Sequence, residues 1–136
     1  MRFLFLSFLA TVAVFAGSLN WLGSVDQARA VAKKENKPIM VFVEADHCHW
    51  CAKMLRETLE EKDTINVLNR DYVLVKLDIE SVDVQKYFSN TYMTPTTYFV
   101  TANMQELLRI DGFVNIDSFY WYLGDVDRKL KELRGK

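Results

Sequence analysis

The two cysteines of this chain, Cys48 and Cys51, are separated only by His49 and Trp50, and what flanks them restricts the fold. Ahead of them lies an unbroken apolar run, Ile39, Met40, Val41, Phe42 and Val43, the pattern of a strand buried on both faces. Behind them Cys51, Met54, Leu55, Thr58 and Leu59 recur at helical spacing on one face. A buried strand therefore runs straight into a CxxC that opens an amphipathic helix. A disulfide across so short a loop removes little unfolded-chain entropy and is a poor staple. The pair is better suited to redox chemistry or to metal binding.

The rest of the sequence supplies a sheet around that unit. Ser24 caps a predicted helix over 24–36, with Val25, Ala28 and Ala32 on its apolar face and Lys33, Lys34 and Lys37 near its C-terminal end, where cations suit the helix dipole. Pro38 stops it. A short helix is predicted over 64–68, a second strong strand over 72–78 and another short helix over 84–88. Two strands, 96–100 and 106–110, are joined by a turn at Thr101, Ala102 and Asn103. A last helix from about Asp117 is expected to bury Phe119, Tyr120, Leu123, Val126, Leu130 and Leu133. The order α-β-α-(α)-β-α-β-β-α implies an α/β fold with a central mixed sheet covered by helices on both faces.

Residues 1–18 differ from the remainder. Arg2 is the one charge before Asp26, residues 3–15 are apolar except Ser7 and Thr11, and the small residues Ala16, Gly17 and Ser18 follow. This is the pattern of a signal peptide, with an N-terminal membrane anchor as the alternative because Leu19, Trp21 and Leu22 prolong the apolar character. Either places the domain in the periplasm or another extracytoplasmic compartment. Half of the 136 residues are hydrophobic, enough for one packed domain, and the formal charge of −1 with no basic cluster gives no reason to expect nucleic acid as a partner.

At the start of a helix, Cys48 has its thiolate favoured by free backbone N–H groups, whereas Cys51 lies one turn in on the buried face. Cys48 is thus expected to attack and Cys51 to resolve the mixed disulfide. A protonated His49 would favour the Cys48 thiolate further, and Trp50 offers an aromatic surface for substrate. Asp46 suits either a helix cap or a catalytic group. His47, Cys48, His49 and Cys51 also form a compact nitrogen and sulfur set of the kind that holds copper(I) or zinc, so a metal-binding protein or metallochaperone is the alternative function. A non-enzymatic adaptor is a third. Pro95, read alone, simply starts an edge strand.

Taken together, residues 38–45, the motif Cys48-His49-Trp50-Cys51 with Lys53 and Met54, residues 75–78, Thr94-Pro95-Thr96 and Asp111-Gly112-Phe113 resemble the thioredoxin superfamily over roughly 24–134. The likeness is greatest to exported thioredoxin-related proteins with an extra N-terminal helix ending in Lys-Pro. It implies a thioredoxin-like three-layer α/β/α domain, a cis Pro95 facing the cysteines, and a Thr94 backbone that receives an extended substrate. It implies thiol–disulfide exchange with protein substrates. Oxidase, reductase and isomerase share these parts, of which the reductase direction is favoured, and the compartment then calls for a membrane or soluble dithiol donor. No cofactor beyond the Cys48–Cys51 disulfide is expected, and the chain is expected to be a monomer touching membrane only if residues 1–18 persist. One departure stands out. Many thioredoxins carry a buried acid six residues before the first cysteine, and here that residue is Phe42. Glu44, on the same face of the strand, is the candidate to take over its proton-relay role.

Overall fold

The computed structural model describes residues 17–136, so all but the last two residues of the expected leader or anchor lie outside it. The described chain runs β1 (Trp21–Leu22), α1 (Val25–Glu35), β2 (Ile39–Glu44), α2 (His49–Met54), a π-helical turn (Leu55–Leu59), α3 (Lys62–Asp71), β3 (Val73–Asp78), α4 (Val82–Tyr87), β4 (Thr96–Val100), β5 (Glu106–Asp111) and α5 (Ile116–Arg134). The strands form one sheet in the order β1-β3-β2-β4-β5. β1, β3 and β2 are parallel, and β4 and β5 are antiparallel additions. Among the described residues no helix is long and apolar enough to cross a membrane.

Because β2 is the central strand, its alternate side chains enter two separate cores. Ile39, Val41 and Val43 pack with Val25, Ala28 and Ala32 of α1 and with Val84 and Phe88. Met40 and Phe42 pack with Cys51, Met54, Leu68, Phe99 and Phe119 under α2, α3 and α5. All five strand residues are fully buried, which explains the unbroken apolar run. The three layers expected from sequence are present.

Local chemistry sets the element ends. The Ser24 hydroxyl accepts from the Gln27 N–H, and Asn36 closes α1 in the left-handed conformation. The Glu61 carboxylate accepts from the N–H groups of Asp63 and Thr64, which starts α3 earlier than the apolar spacing alone suggests. The helix begun by α2 runs on into a π-helical turn, closed by a hydrogen bond from the Glu60 N–H to the Leu55 carbonyl five residues back at 2.8 Å. Thr58, buried in that turn, donates its hydroxyl to the Val114 carbonyl at 2.8 Å and so ties the segment after β5 to the helix behind the cysteines.

Three expectations need correction. β1 was not expected; it pairs Trp21 and Leu22 with Leu74 and Val75, and the Asn69 side chain holds its approach by bonding Asn20 N–H and the Ser18 carbonyl. Tyr120 is 38% exposed rather than buried, because its hydroxyl meets Thr64 at the edge of α3 instead of entering the core. Asp46 does not cap α2; Cys48 does. At the far margin, β5 carries a bulge: Phe99 pairs with Leu108 and Val100 with Glu106, leaving Leu107 without a partner residue. Lys129 of α5 donates to the Leu107 carbonyl at 2.6 Å.

Candidate active site

The site forms where β2 ends. His47 adopts a left-handed backbone, φ 56°, and Cys48 returns to the extended region at φ −89° and ψ 102°, so the chain turns sharply into α2. Cys48 and Cys51 are joined in a disulfide, with Cα atoms 5.3 Å apart. Their environments differ. Cys48 is half-buried, and its sulfur accepts from the Cys51 N–H at 3.2 Å and from the Thr94 hydroxyl at 3.3 Å. Cys51 is 2% exposed and packs into the core beneath α2.

The second wall is the loop before β4. Its Thr94–Pro95 peptide bond is cis. The loop is fixed from several directions. Thr96 donates its hydroxyl to the Met93 carbonyl at 2.8 Å, and Gly112 N–H donates to the Pro95 carbonyl at 2.8 Å. Tyr92 donates to Asp111 at 3.0 Å, and Arg109 bonds both Asp111, at 2.7 Å, and the Asn90 carbonyl, at 3.3 Å. Partial burial acts to raise the Asp111 pKa, but the hydrogen bonds from Arg109 and Tyr92 outweigh it and hold the carboxyl below its ordinary range.

Two open grooves flank the disulfide. One is apolar, lined by Trp50, Met93, Thr94, Pro95, Gly112 and Phe113. Trp50 is 51% exposed and stands 5.6 Å from the Phe113 ring and 5.3 Å, edge to face, from His49. Lys53 lies over both Trp50 and Phe113, 5.1 and 5.0 Å from their centres. Gly112 has φ +87°, and a Cβ there would stand 3.3 Å from the Met93 terminal methyl, so this position keeps the groove open. The other groove is polar and titratable, lined by Glu44, Asp46, His47, Cys48, His49 and Cys51 among others. Glu44 reaches it half-exposed, with its carboxylate 4.0 Å from Lys76.

Of the residues singled out from sequence, Cys48, Cys51, His49, Trp50, Thr94 and Pro95 meet around the disulfide, and Glu44 lies at its polar side. Phe113 and Lys53 were recognised only as parts of motifs, not as groove residues. The set His47, Cys48, His49 and Cys51 does not converge as a metal site: among the described residues no group of three or more His, Cys, Asp or Glu side chains is placed to hold an ion.

A thioredoxin-like domain model matches residues 25–127, most of the chain and all of this site. The chain belongs to the thioredoxin-like domain family. Among solved structures, a thioredoxin from Thermus thermophilus superposes with a TM-score of 0.71 at 23% identity, covering 80% of this chain and 87% of that one. The DsbH oxidoreductase superposes with a TM-score of 0.64 at 22% identity, covering 90% of this chain and 92% of its own. Both likenesses concern the fold. Human spermatogenesis-associated protein 20 is 32% identical over 95 residues, 64% of this chain and 12% of that protein. The chain spans only about a tenth of the length of the first curated relatives it matches. The chemistry available to this thioredoxin-like domain and its CxxC disulfide is thiol–disulfide exchange of the Cys48–Cys51 bond with another thiol pair.

Proposed function

We propose that this domain is an extracytoplasmic reductase of protein disulfides, with Cys48 as the attacking thiol and Cys51 as the resolving one. The observation that carries this is the asymmetry of the two sulfurs. Only Cys48 is partly open to solvent, and it already accepts hydrogen bonds from Cys51 N–H and Thr94 Oγ1, donors that would serve a thiolate equally well. Both donors are neutral. A strong oxidant needs a more heavily stabilised reduced form, so this environment favours the reductase direction.

In the forward reaction the Cys48 thiolate attacks a substrate disulfide, and one substrate sulfur leaves as a thiolate that takes up a proton. Cys51 then loses its proton and attacks Cys48, which restores the internal disulfide and frees the second substrate thiol. A membrane or soluble dithiol protein returns the two electrons and two protons. Thr94 and Pro95 receive an extended substrate segment, and the apolar groove beside Trp50 and Phe113 takes its side chains. His49 and Trp50 tune the site, and Glu44 relays the proton of Cys51 through the polar groove. Residues 1–18 act as the signal peptide or membrane anchor of a domain spanning 24–134, which works as a monomer in the periplasm or an equivalent compartment.

The test is the reduction potential of the pair, measured in glutathione and dithiothreitol buffers with Trp50 fluorescence as the reporter. A value near about −270 mV supports the reductase reading, whereas one near about −120 to −180 mV replaces it with an oxidase or isomerase. Glu44→Gln is expected to slow resolution by Cys51; an unchanged rate removes Glu44 from the relay.

A further inference from the structure

Among the described residues one buried side-chain polar atom lacks a hydrogen-bond partner, and it is Thr97 Oγ1. Thr97 is fully buried in β4. The hydroxyls on either side of it are satisfied: Thr96 donates to the Met93 carbonyl, and Tyr98 meets Thr91 Oγ1 at 2.7 Å. Side chains alternate along a strand, so Thr96 and Tyr98 face the α1 side while Thr97 shares a face with Phe99. Its register partner is Phe42, which packs in the same core as Cys51. Thr97 thus puts an idle hydroxyl on the face of the sheet where Cys51 is buried, two residues beyond the proline that borders the disulfide.

Valine would fill this position with nearly the same shape and no desolvated oxygen. An unsatisfied buried group in a folded protein calls for an explanation, and a redox role is one of the few available. The one covalent change available to this core is opening of the Cys48–Cys51 bond. While that bond exists, the Cys51 sulfur needs no donor. Once substrate is attached to Cys48, Cys51 is a buried thiol that must become a thiolate, and a buried anion needs a hydrogen bond. Phe42 offers none.

We propose that the Thr97 hydroxyl donates to the Cys51 sulfur when the disulfide opens and so stabilises the thiolate that resolves the mixed disulfide. This rests on the assignment of Cys51 as the resolving thiol. The Cys51 proton leaves first, towards the groove lined by Glu44, Asp46, His47 and His49. The Cys51 electron pair then forms the bond to Cys48, the bond between Cys48 and substrate breaks, and the departing substrate sulfur takes a proton from water.

The experiment compares Thr97→Val and Thr97→Ser with the parent chain. In glutathione buffers Thr97→Val is expected to move the equilibrium about tenfold towards the disulfide, equivalent to ~30 mV, because only the reduced form loses a bond. Its melting temperature is expected to rise or hold in the oxidised state and to fall in the reduced state. Thr97→Ser is expected to restore parent behaviour. Equal stability changes in both redox states with an unchanged glutathione equilibrium would overturn the assignment, since packing alone cannot tell the two states apart. If Thr97→Val does not fold, Thr97→Ala is read in the same way. A parent chain that never exchanges with glutathione would instead overturn the oxidoreductase reading, and so separates the two failures.

Discussion

The two faces of the sheet are both deeply buried but differently equipped. On the α1 and α4 side, Val41 and Val43 meet Val25, Ala28 and Ala32, and the one large polar group, the Tyr98 hydroxyl, is bonded to Thr91. On the α2, α3 and α5 side, Phe42 of β2 lies in the same core as Cys51 of α2, and Thr97 of β4 is left without a partner. Neighbouring residues of one strand therefore serve different ends. Among the described residues, one face leaves no buried side-chain polar atom without a partner, and the other keeps a donor unused until the chemistry changes.

This contrast can be broken most forcefully at the cysteines. Cys51→Ser is expected to abolish turnover and to leave Cys48 trapped in a mixed disulfide with substrate, seen as a band shift on a non-reducing gel; Cys48→Ser should trap nothing. Next comes the opposite face. Ile39→Ala removes a fully buried side chain from the α1 core and should lower unfolding stability by about 2–5 kcal/mol in urea titration. The reduction potential should nonetheless hold, because Ile39 faces away from Cys51. A smaller effect is expected for Tyr98→Phe, which deletes the bond to Thr91 and should cost about 1 kcal/mol in both redox states alike.

The smallest effect lies at the rim. Hydrogen bonds from Arg109 and Tyr92, against the opposing effect of partial burial, hold the folded pKa of Asp111 below its unfolded value of about 3.9. A depressed carboxyl stabilises the fold above the unfolded pKa, and that contribution disappears as pH falls through the folded pKa. Asp111→Asn should therefore lower the melting temperature near neutrality, with the deficit shrinking below about pH 4. Its size should stay within about 1 kcal/mol, since the group is partly screened by water.

Much of this was legible in the sequence because it rested on patterns with one physical reading. The run Ile39 to Val43 could only be a strand covered on both sides, and the spacing of Cys51, Met54, Thr58 and Leu59 placed one thiol inside and the other at the helix start. Other features depend on tertiary partners that no local pattern announces. Trp21 and Leu22 form a strand because β3 offers an open edge and Asn69 holds the preceding turn. The π-helical turn follows from helical bonds around Leu55 and Glu60, and it leaves Thr58 holding the segment that carries Phe113 towards Trp50. Thr97 looked like any threonine in a strand; its meaning comes from Phe42 across the sheet and from the lack of a partner.

The bulge in β5 has a consequence for how this domain meets its own kind. A sheet's outer strand is a template on which a stray strand from another molecule can grow. Here that margin is interrupted at Leu107, and the ammonium of Lys129 already holds the carbonyl there. An incoming strand would have to evict a charged donor and straighten a kinked backbone before gaining its first bonds. The β5 edge is thereby made a poor seed for aggregation at the end of the strand away from the cis-proline loop.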